Sequence, residues 1–121
     1  MKKILIAEDE KDIATLLRAR FEERGFLVET THSVKETLDR LKQGGIDVLT
    51  LDIFMPSTSG WAVLDSVRES SELKGMNVVL FTILETREAY ARAARMNAVL
   101  VPKSGGEENL LMEVEKVMKS G

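Results

Sequence analysis

Five times along this chain of 121 residues a short apolar run is followed by a segment whose apolar residues recur at helical spacing. No other feature narrows the possible folds as far, because regular alternation of strand and helix signals points to an α/β architecture with a mostly parallel sheet. Strands are predicted near 3–7, 26–30, 47–52, 77–82 and 98–102. Ile13, Leu16, Leu17 and Phe21 mark a first helix stopped by Gly25. Ser33, with Glu36 three residues on, reads as a capping box opening a second helix, whose face is Val34, Leu38 and Leu41 and whose end is Gly44-Gly45. Trp61, Leu64 and Val67 make a third stripe after Gly60, predicted to close near Gly75. The segment from Glu85 to Met96, rich in alanine and arginine, is predicted to be the fourth and least amphipathic helix. Leu110, Leu111, Val114, Val117 and Met118 give the last helix a buried face that ends close to Gly121.

The length suits one domain with its own core, and neither linker nor repeat interrupts it, so residues 1–121 are read as a single domain with no output domain in this chain. Hydrophobic residues make up 44% and charged residues 31%, which separates the chain from disordered compositions. A net charge of −3 gives no electrostatic reason to expect direct nucleic-acid binding. With no cysteine there is neither a disulfide scaffold nor thiolate chemistry. Met1-Lys2-Lys3 is not a signal sequence, and Ile4 to Ala7 is far too short to span a membrane. A soluble, cytoplasmic protein is expected.

Right-handed crossovers place helices on both faces of a doubly wound sheet, and ligands then bind where the winding reverses, beyond the carboxyl ends of the strands. Five β/α units fit the flavodoxin-like strand order 2-1-3-4-5, in which strands one and three are neighbours. Asp52 ends the third apolar run, with Pro56 and Gly60 four and eight residues on, and Glu8-Asp9 end the first run. These acids should therefore face one another. Thr82 and Lys103 end the fourth and fifth runs at the same edge.

Carboxylates held together repel unless a cation neutralises them, and a hard divalent ion such as Mg²⁺ prefers oxygen ligands. Asp9 and Asp52 suit that role, while a single histidine, His32, and the lack of cysteine leave no soft-ligand site. Lys103 offers a point charge and Thr82 a hydroxyl to phosphoryl oxygens. A carboxylate can itself be the nucleophile in phosphoryl transfer, and Asp52 is the acid at the carboxyl end of the central strand, so the phosphoryl group is assigned there.

With Ile-Leu-Ile-Ala-Glu-Asp-Glu at 4–10, Leu-Asp-Ile-Phe-Met-Pro-Ser-Thr-Ser-Gly at 51–60, Thr82 and Lys103, the chain resembles the receiver domain of two-component response regulators over essentially its whole length. The resemblance implies Asp52 as phosphoacceptor and Asp9 as Mg²⁺ ligand, with Glu8 a more distant ligand acting through water and Phe54 adding its backbone carbonyl. It further implies Thr82 as the switch hydroxyl and Lys103 as the phosphoryl ion-pair partner. The phosphate would come from a histidine kinase or phosphotransfer protein, and an output protein would read the face of helix four, strand five and helix five. Catalysis would be limited to self-phosphorylation from a phosphodonor and autodephosphorylation.

Some positions depart from the family pattern. Pro102-Lys103-Ser104 stands where members usually carry Lys-Pro, and a cis bond before a non-proline residue costs about 2.5–4 kcal/mol, so the Lys103–Ser104 bond is expected to be trans. The interval from Thr82 to Lys103 is one residue short. Leu100 stands in place of the switch aromatic that would couple to the threonine. Ile83, in place of a small residue, narrows the approach of a phosphodonor, which predicts slow or partner-selective phosphorylation. Phe54 and Leu84 are apolar where they can hinder hydrolytic water, so a long-lived phosphorylated form is expected. Two rivals remain: a phosphate-independent receiver-like binding module, and a true enzyme on the same plan such as a Mg²⁺-dependent phosphatase or a flavin protein. The absence of an Asp-x-Asp pair after strand one and of a glycine-rich phosphate loop disfavours the second. His32 is assigned no role. Arg87, Arg92 and Arg95 form a candidate partner face, the methionines fill gaps, and Trp61 is a packing anchor close to the site.

Overall fold

Alternating elements run through the chain as β1 (Lys3–Ala7), α1 (Lys11–Glu23), β2 (Leu27–Thr31), α2 (Val34–Lys42), β3 (Val48–Leu51), α3 (Gly60–Glu69), β4 (Asn77–Thr82), α4 (Arg87–Arg95), β5 (Val99–Pro102) and α5 (Glu107–Ser120). The computed structural model describes residues 1–55 and 58–120, so the step at Pro56 and the end at Gly121 lie outside the described residues. The main sheet has the order β2-β1-β3-β4-β5 and is parallel throughout, as the alternation predicts. Ile4 lies between Val28 and Val48, and Ala7 between Thr31 and Leu51, so the ends of the three neighbouring strands are level.

Successive side chains of a strand point to opposite faces, and here both faces are buried. Ile4, Ile6, Val48, Val79, Phe81 and Val101 pack under α1 and α5 against Leu17, Phe21, Leu110, Leu111 and Val114. Leu5, Ala7, Leu49, Leu51, Val78, Leu80 and Leu100 pack against α2, α3 and α4 through Val34, Leu41, Val63, Leu64, Val67, Ala89 and Ala93. Each fully buried Leu or Ile contributes about 1.5–3 kcal/mol relative to exposure, so a one-residue slip that exchanged the faces would be strongly disfavoured.

Local chemistry sets the helix ends. Gly25 takes φ +90° directly after α1, a left-handed stop that an L side chain rarely adopts, and Asn97 (φ 55°) does the same after α4. Ser33 caps α2 by accepting from the Glu36 amide at 3.1 Å, as predicted. The reciprocal half differs from the usual box: Glu36 accepts from the amide of His32 at 3.0 Å, one residue before the cap.

Several expectations need correction. β2 starts and ends one residue later than predicted, β3 loses a residue at each end, and β5 begins at Val99 rather than 98. A short antiparallel ribbon, Phe54–Met55 against Thr58–Ser59, follows Asp52 and is not among the predicted strands. α3 closes at Glu69, not near Gly75, because the Ser70 hydroxyl accepts from the amides of Glu72 (3.3 Å) and Leu73 (3.2 Å) and turns the chain. Arg68 secures that turn by donating to the carbonyls of Met96 (2.7 Å), Lys74 (2.9 Å), Met76 (2.7 Å) and Asn97 (3.1 Å). α4 is clearly two-sided: Ala89 and Ala93 are buried while Arg87, Glu88 and Arg95 face out. Its narrow inner stripe is made of alanines, which contribute little hydrophobicity. Met112 is 59% exposed and fills no gap. Every described peptide bond is trans, Lys103–Ser104 included.

Candidate functional site

Parallel pairing brings the acids together. The Asp52 amide donates to the Ala7 carbonyl at 3.0 Å, and the Glu8 amide to the Thr31 carbonyl at 3.0 Å, extending both ladders one step beyond the regular strands. Oxygens of Glu8, Asp9 and Asp52 all lie within 4.8 Å of one another. Glu8 and Asp52 are buried and Asp9 is partly exposed.

Gly60 explains its own spacing. Its amide donates to the Ile53 carbonyl at 2.7 Å, and a Cβ there would stand 2.2 Å from the Asp52 carbonyl oxygen. The start of α3 thus lies directly on the backbone that presents Asp52. Its φ is ordinary, so space and not backbone conformation requires glycine.

Lys103 follows β5 in a single 3-10 turn, Lys103–Gly105, and its Nζ lies 3.0 Å from Asp52 Oδ2 and 2.9 Å from Glu8 Oε1. The ammonium also sits 5.7 Å from the Phe81 ring centre. Burial pulls the Lys103 pKa down, but the carboxylates of Glu8 and Asp52 more than reverse this and leave it raised. Burial pushes the Glu8 carboxyl up to about 7; the charge on Asp52 adds to the rise, and Lys103 opposes it.

Thr82 ends β4 fully buried, and its Oγ1 accepts from the Leu84 amide at 3.2 Å. That bond uses the oxygen as acceptor and leaves the O–H proton to give. The Phe54 amide donates to Asp52 Oδ1 at 3.1 Å, so both carboxylate oxygens of Asp52 are held. A cavity of 540 Å³ opens beside the acids between Asp9, Phe54, Trp61 and Leu84. Phe54 is 49% exposed and Ile83 67% exposed.

Two residues have roles that the sequence reading did not assign. His32 places Nδ1 2.9 Å from the Glu8 carbonyl oxygen. Arg92, expected on a solvent-facing partner surface, stacks 4.4 Å from the Trp61 ring centre and reaches Asp65 at 3.6 Å, joining α4 to α3. Only the stop of β2 before His32 hinted at the first, and no sequence signal marked the second.

Three clustered carboxylates balanced by one ammonium fit a hard divalent cation, and the oxygen-only donor set fits Mg²⁺ in kind. No helix of the described residues is long and apolar enough to cross a membrane.

The model of the response regulator receiver domain family matches residues 4–115. Among curated proteins, the transcriptional regulatory protein CpxR of Escherichia coli is 30% identical over 110 residues, 91% of this chain and 42% of its own length. The transcriptional regulatory protein CusR of the same species is 31% identical over 96 residues, 79% of this chain and 41% of its own. The chain thus spans less than half the length of these relatives. Among solved structures, the response regulator TrrA of Thermotoga maritima, in complex with Mg²⁺ and BeF, superposes with a TM-score of 0.84 at 29% identity, covering 96% of this chain and 98% of that one. A Francisella response regulator receiver domain shares the fold with a TM-score of 0.90 at 24% identity, covering 99% and 98%.

Proposed function

This chain belongs to the response regulator receiver family, and on that premise we propose that it is a phosphorylation-dependent switch of a two-component system. Asp52 accepts a phosphoryl group from the phosphohistidine of a histidine kinase or phosphotransfer protein. One Asp52 oxygen attacks phosphorus, the donor's P–N bond breaks, and its electron pair returns to the imidazole nitrogen. The observation that carries this reading is the bridge from Lys103 to Asp52 and Glu8 beside Asp9, a buried carboxylate nucleophile with a cation already at its oxygen.

Asp9, Asp52 and the Phe54 carbonyl would hold Mg²⁺, with Glu8 acting through water, and the ion would supply charge neutralisation at the transferring phosphoryl oxygens. The Phe54 amide and Lys103 fix the plane of the Asp52 carboxylate. Lys103 then pairs with a phosphoryl oxygen, and Thr82, exchanging its bond to the Leu84 amide, donates its O–H to another. That exchange moves the segment between β4 and α4 and alters the face of α4, β5 and α5, which an output protein reads. The TrrA complex with Mg²⁺ and BeF supports a metal at this site. The chain acts in the cytoplasm through protein contact rather than nucleic acid. Its apolar Phe54 and Leu84 beside the acids favour slow loss of the phosphoryl group.

Intact mass of wild type and Asp52→Ala, after incubation with a small-molecule phosphodonor and Mg²⁺ or chelator, tests the proposal. Wild type gains one phosphoryl group with Mg²⁺ only, and the variant gains none; equal gain by both refutes Asp52 as acceptor. One observation favours a phosphate-independent binding module: Leu100, in place of a switch aromatic, is buried in the core. Partner binding that is equal for wild type and Asp52→Ala, with and without donor, would select it.

A further inference from the structure

We infer that His32 is a positioning residue of the acid pair: it holds the peptide group that joins Glu8 to Asp9 and thereby sets the affinity of the site for a divalent cation. The inference rests on the proposed function and names a residue that function does not use. His32 Nδ1 lies 2.9 Å from the Glu8 carbonyl oxygen and is partly buried. A carbonyl oxygen has no proton to give, so Nδ1 is the donor and carries the hydrogen.

That oxygen belongs to the Glu8–Asp9 peptide, whose plane governs where the Asp9 Cα–Cβ bond points. The other side of Glu8 is already fixed, its amide on the Thr31 carbonyl at 3.0 Å and its Oε2 on the Glu10 amide at 3.2 Å. The Asp9 carboxylate makes no hydrogen bond or ion pair of its own among the described residues, so its direction comes from the backbone. His32 supplies the remaining restraint.

The imidazole can do this because its own loop is locked. The His32 amide donates to Glu36 Oε1 at 3.0 Å, the Glu36 amide to Ser33 Oγ at 3.1 Å, and Thr37 Oγ1 to the Ser33 carbonyl at 2.7 Å. Thr37 also meets Thr31 Oγ1 at 2.7 Å, tying the start of α2 to the end of β2. The histidine is thus an outer support for a ligand, the class of contact whose loss weakens metal binding without touching the metal.

The test is calorimetric titration with Mg²⁺ alone, on wild type, His32→Leu and His32→Asn, together with thermal unfolding of each in chelator. Asn places Nδ2 where His has Nδ1. His32→Leu is expected to bind Mg²⁺ about tenfold more weakly, and His32→Asn within about twofold of wild type, with the two variants unfolding together in chelator. Leucine and asparagine variants that bind alike, or a leucine variant that binds as wild type does, overturn the inference and leave the receiver reading intact. A wild type that binds no Mg²⁺ overturns the metal site and the inference with it. Should His32→Leu not fold, nitrogen NMR of metal-free wild type decides: the Nδ1–H tautomer is expected, and the Nε2–H tautomer overturns the inference.

Discussion

A methyl group added at Gly60 probes how the backbone of Asp52 is held. In Gly60→Ala the new Cβ would lie 2.2 Å from the Asp52 carbonyl oxygen, 2.8 Å from Ile53 Cα and 3.0 Å from the Asp52 carbonyl carbon. Carbon–oxygen contacts relax to about 3.3 Å, so the start of α3 and the end of β3 must separate by about 1 Å. All three atoms are backbone, and no side chain can swing aside to absorb the strain. Overpacking of this kind costs about 1–3 kcal/mol, and losing the 2.7 Å bond from the Gly60 amide to the Ile53 carbonyl adds about 1 kcal/mol. Lower entropy of the unfolded chain returns about 0.4–1 kcal/mol. The expected net loss is about 2 kcal/mol or more, read as a lower urea midpoint with unchanged slope, or as a fall in Tm of roughly 8 °C at this size. Gly75→Ala is the control: its Cβ meets nothing within 4 Å at an ordinary φ, so it should be neutral or slightly stabilising. Gly60→Ala as stable as Gly75→Ala would refute the close-approach account.

Three further outcomes are expected. Glu29, paired with Arg40 at 2.5 Å and Lys3 at 3.0 Å, is held down to about 2, first by its bonds to Arg40 and then by those to Lys3. A depressed carboxyl contributes stability above its ordinary range and loses it as pH falls toward 2, so Glu29→Gln should flatten the acid limb of a stability–pH curve. At 37% exposure the effect is held to about 1 kcal/mol by solvent screening. Arg68→Lys cannot reproduce a planar fork serving four carbonyls, and should cost about 2 kcal/mol in urea unfolding, with faster amide exchange around Met76 and Asn97. Lys103→Met leaves Glu8 and Asp52 without their ammonium, so Mg²⁺ should raise its Tm by more degrees than that of wild type; an equal or smaller rise would count against charge balance as the basis of the site.

Regularities that run along one stretch of chain were the readable part. Periodicity placed every strand of the main sheet to within a residue, and four of the five helices by their buried faces except at Leu16, which is 45% exposed while Ala14 is buried in its stead, because burial imposes a repeat on the residues that bear it. The third helix was read too long because its end is set by the turn at Ser70 and not by Gly75. The fourth was misjudged because its inner face is Ala89 and Ala93, small residues whose value lies in close approach rather than in hydrophobicity.

The site divides in the same way. Glu8, Asp9, Asp52, Thr82 and Lys103 could be named from sequence, since strand order alone sends the ends of neighbouring parallel strands to one edge. Their partners could not. Lys103 bridges to Asp52 across 51 positions, and His32 reaches Glu8 across 24. Thr82 turns its oxygen to the Leu84 amide, and Arg92 covers Trp61. Such contacts depend on sheet register, on the exact turn that each loop takes, and on side-chain direction to within an ångström, none of which leaves a repeat in the sequence. By itself the sequence determined the layers, the strand order and the edge where the acids gather, because these follow from where apolar residues must be hidden. Only the tertiary structure decided which groups hold one another there, because hydrogen bonds and ion pairs require distances that emerge when separate parts of the chain are packed.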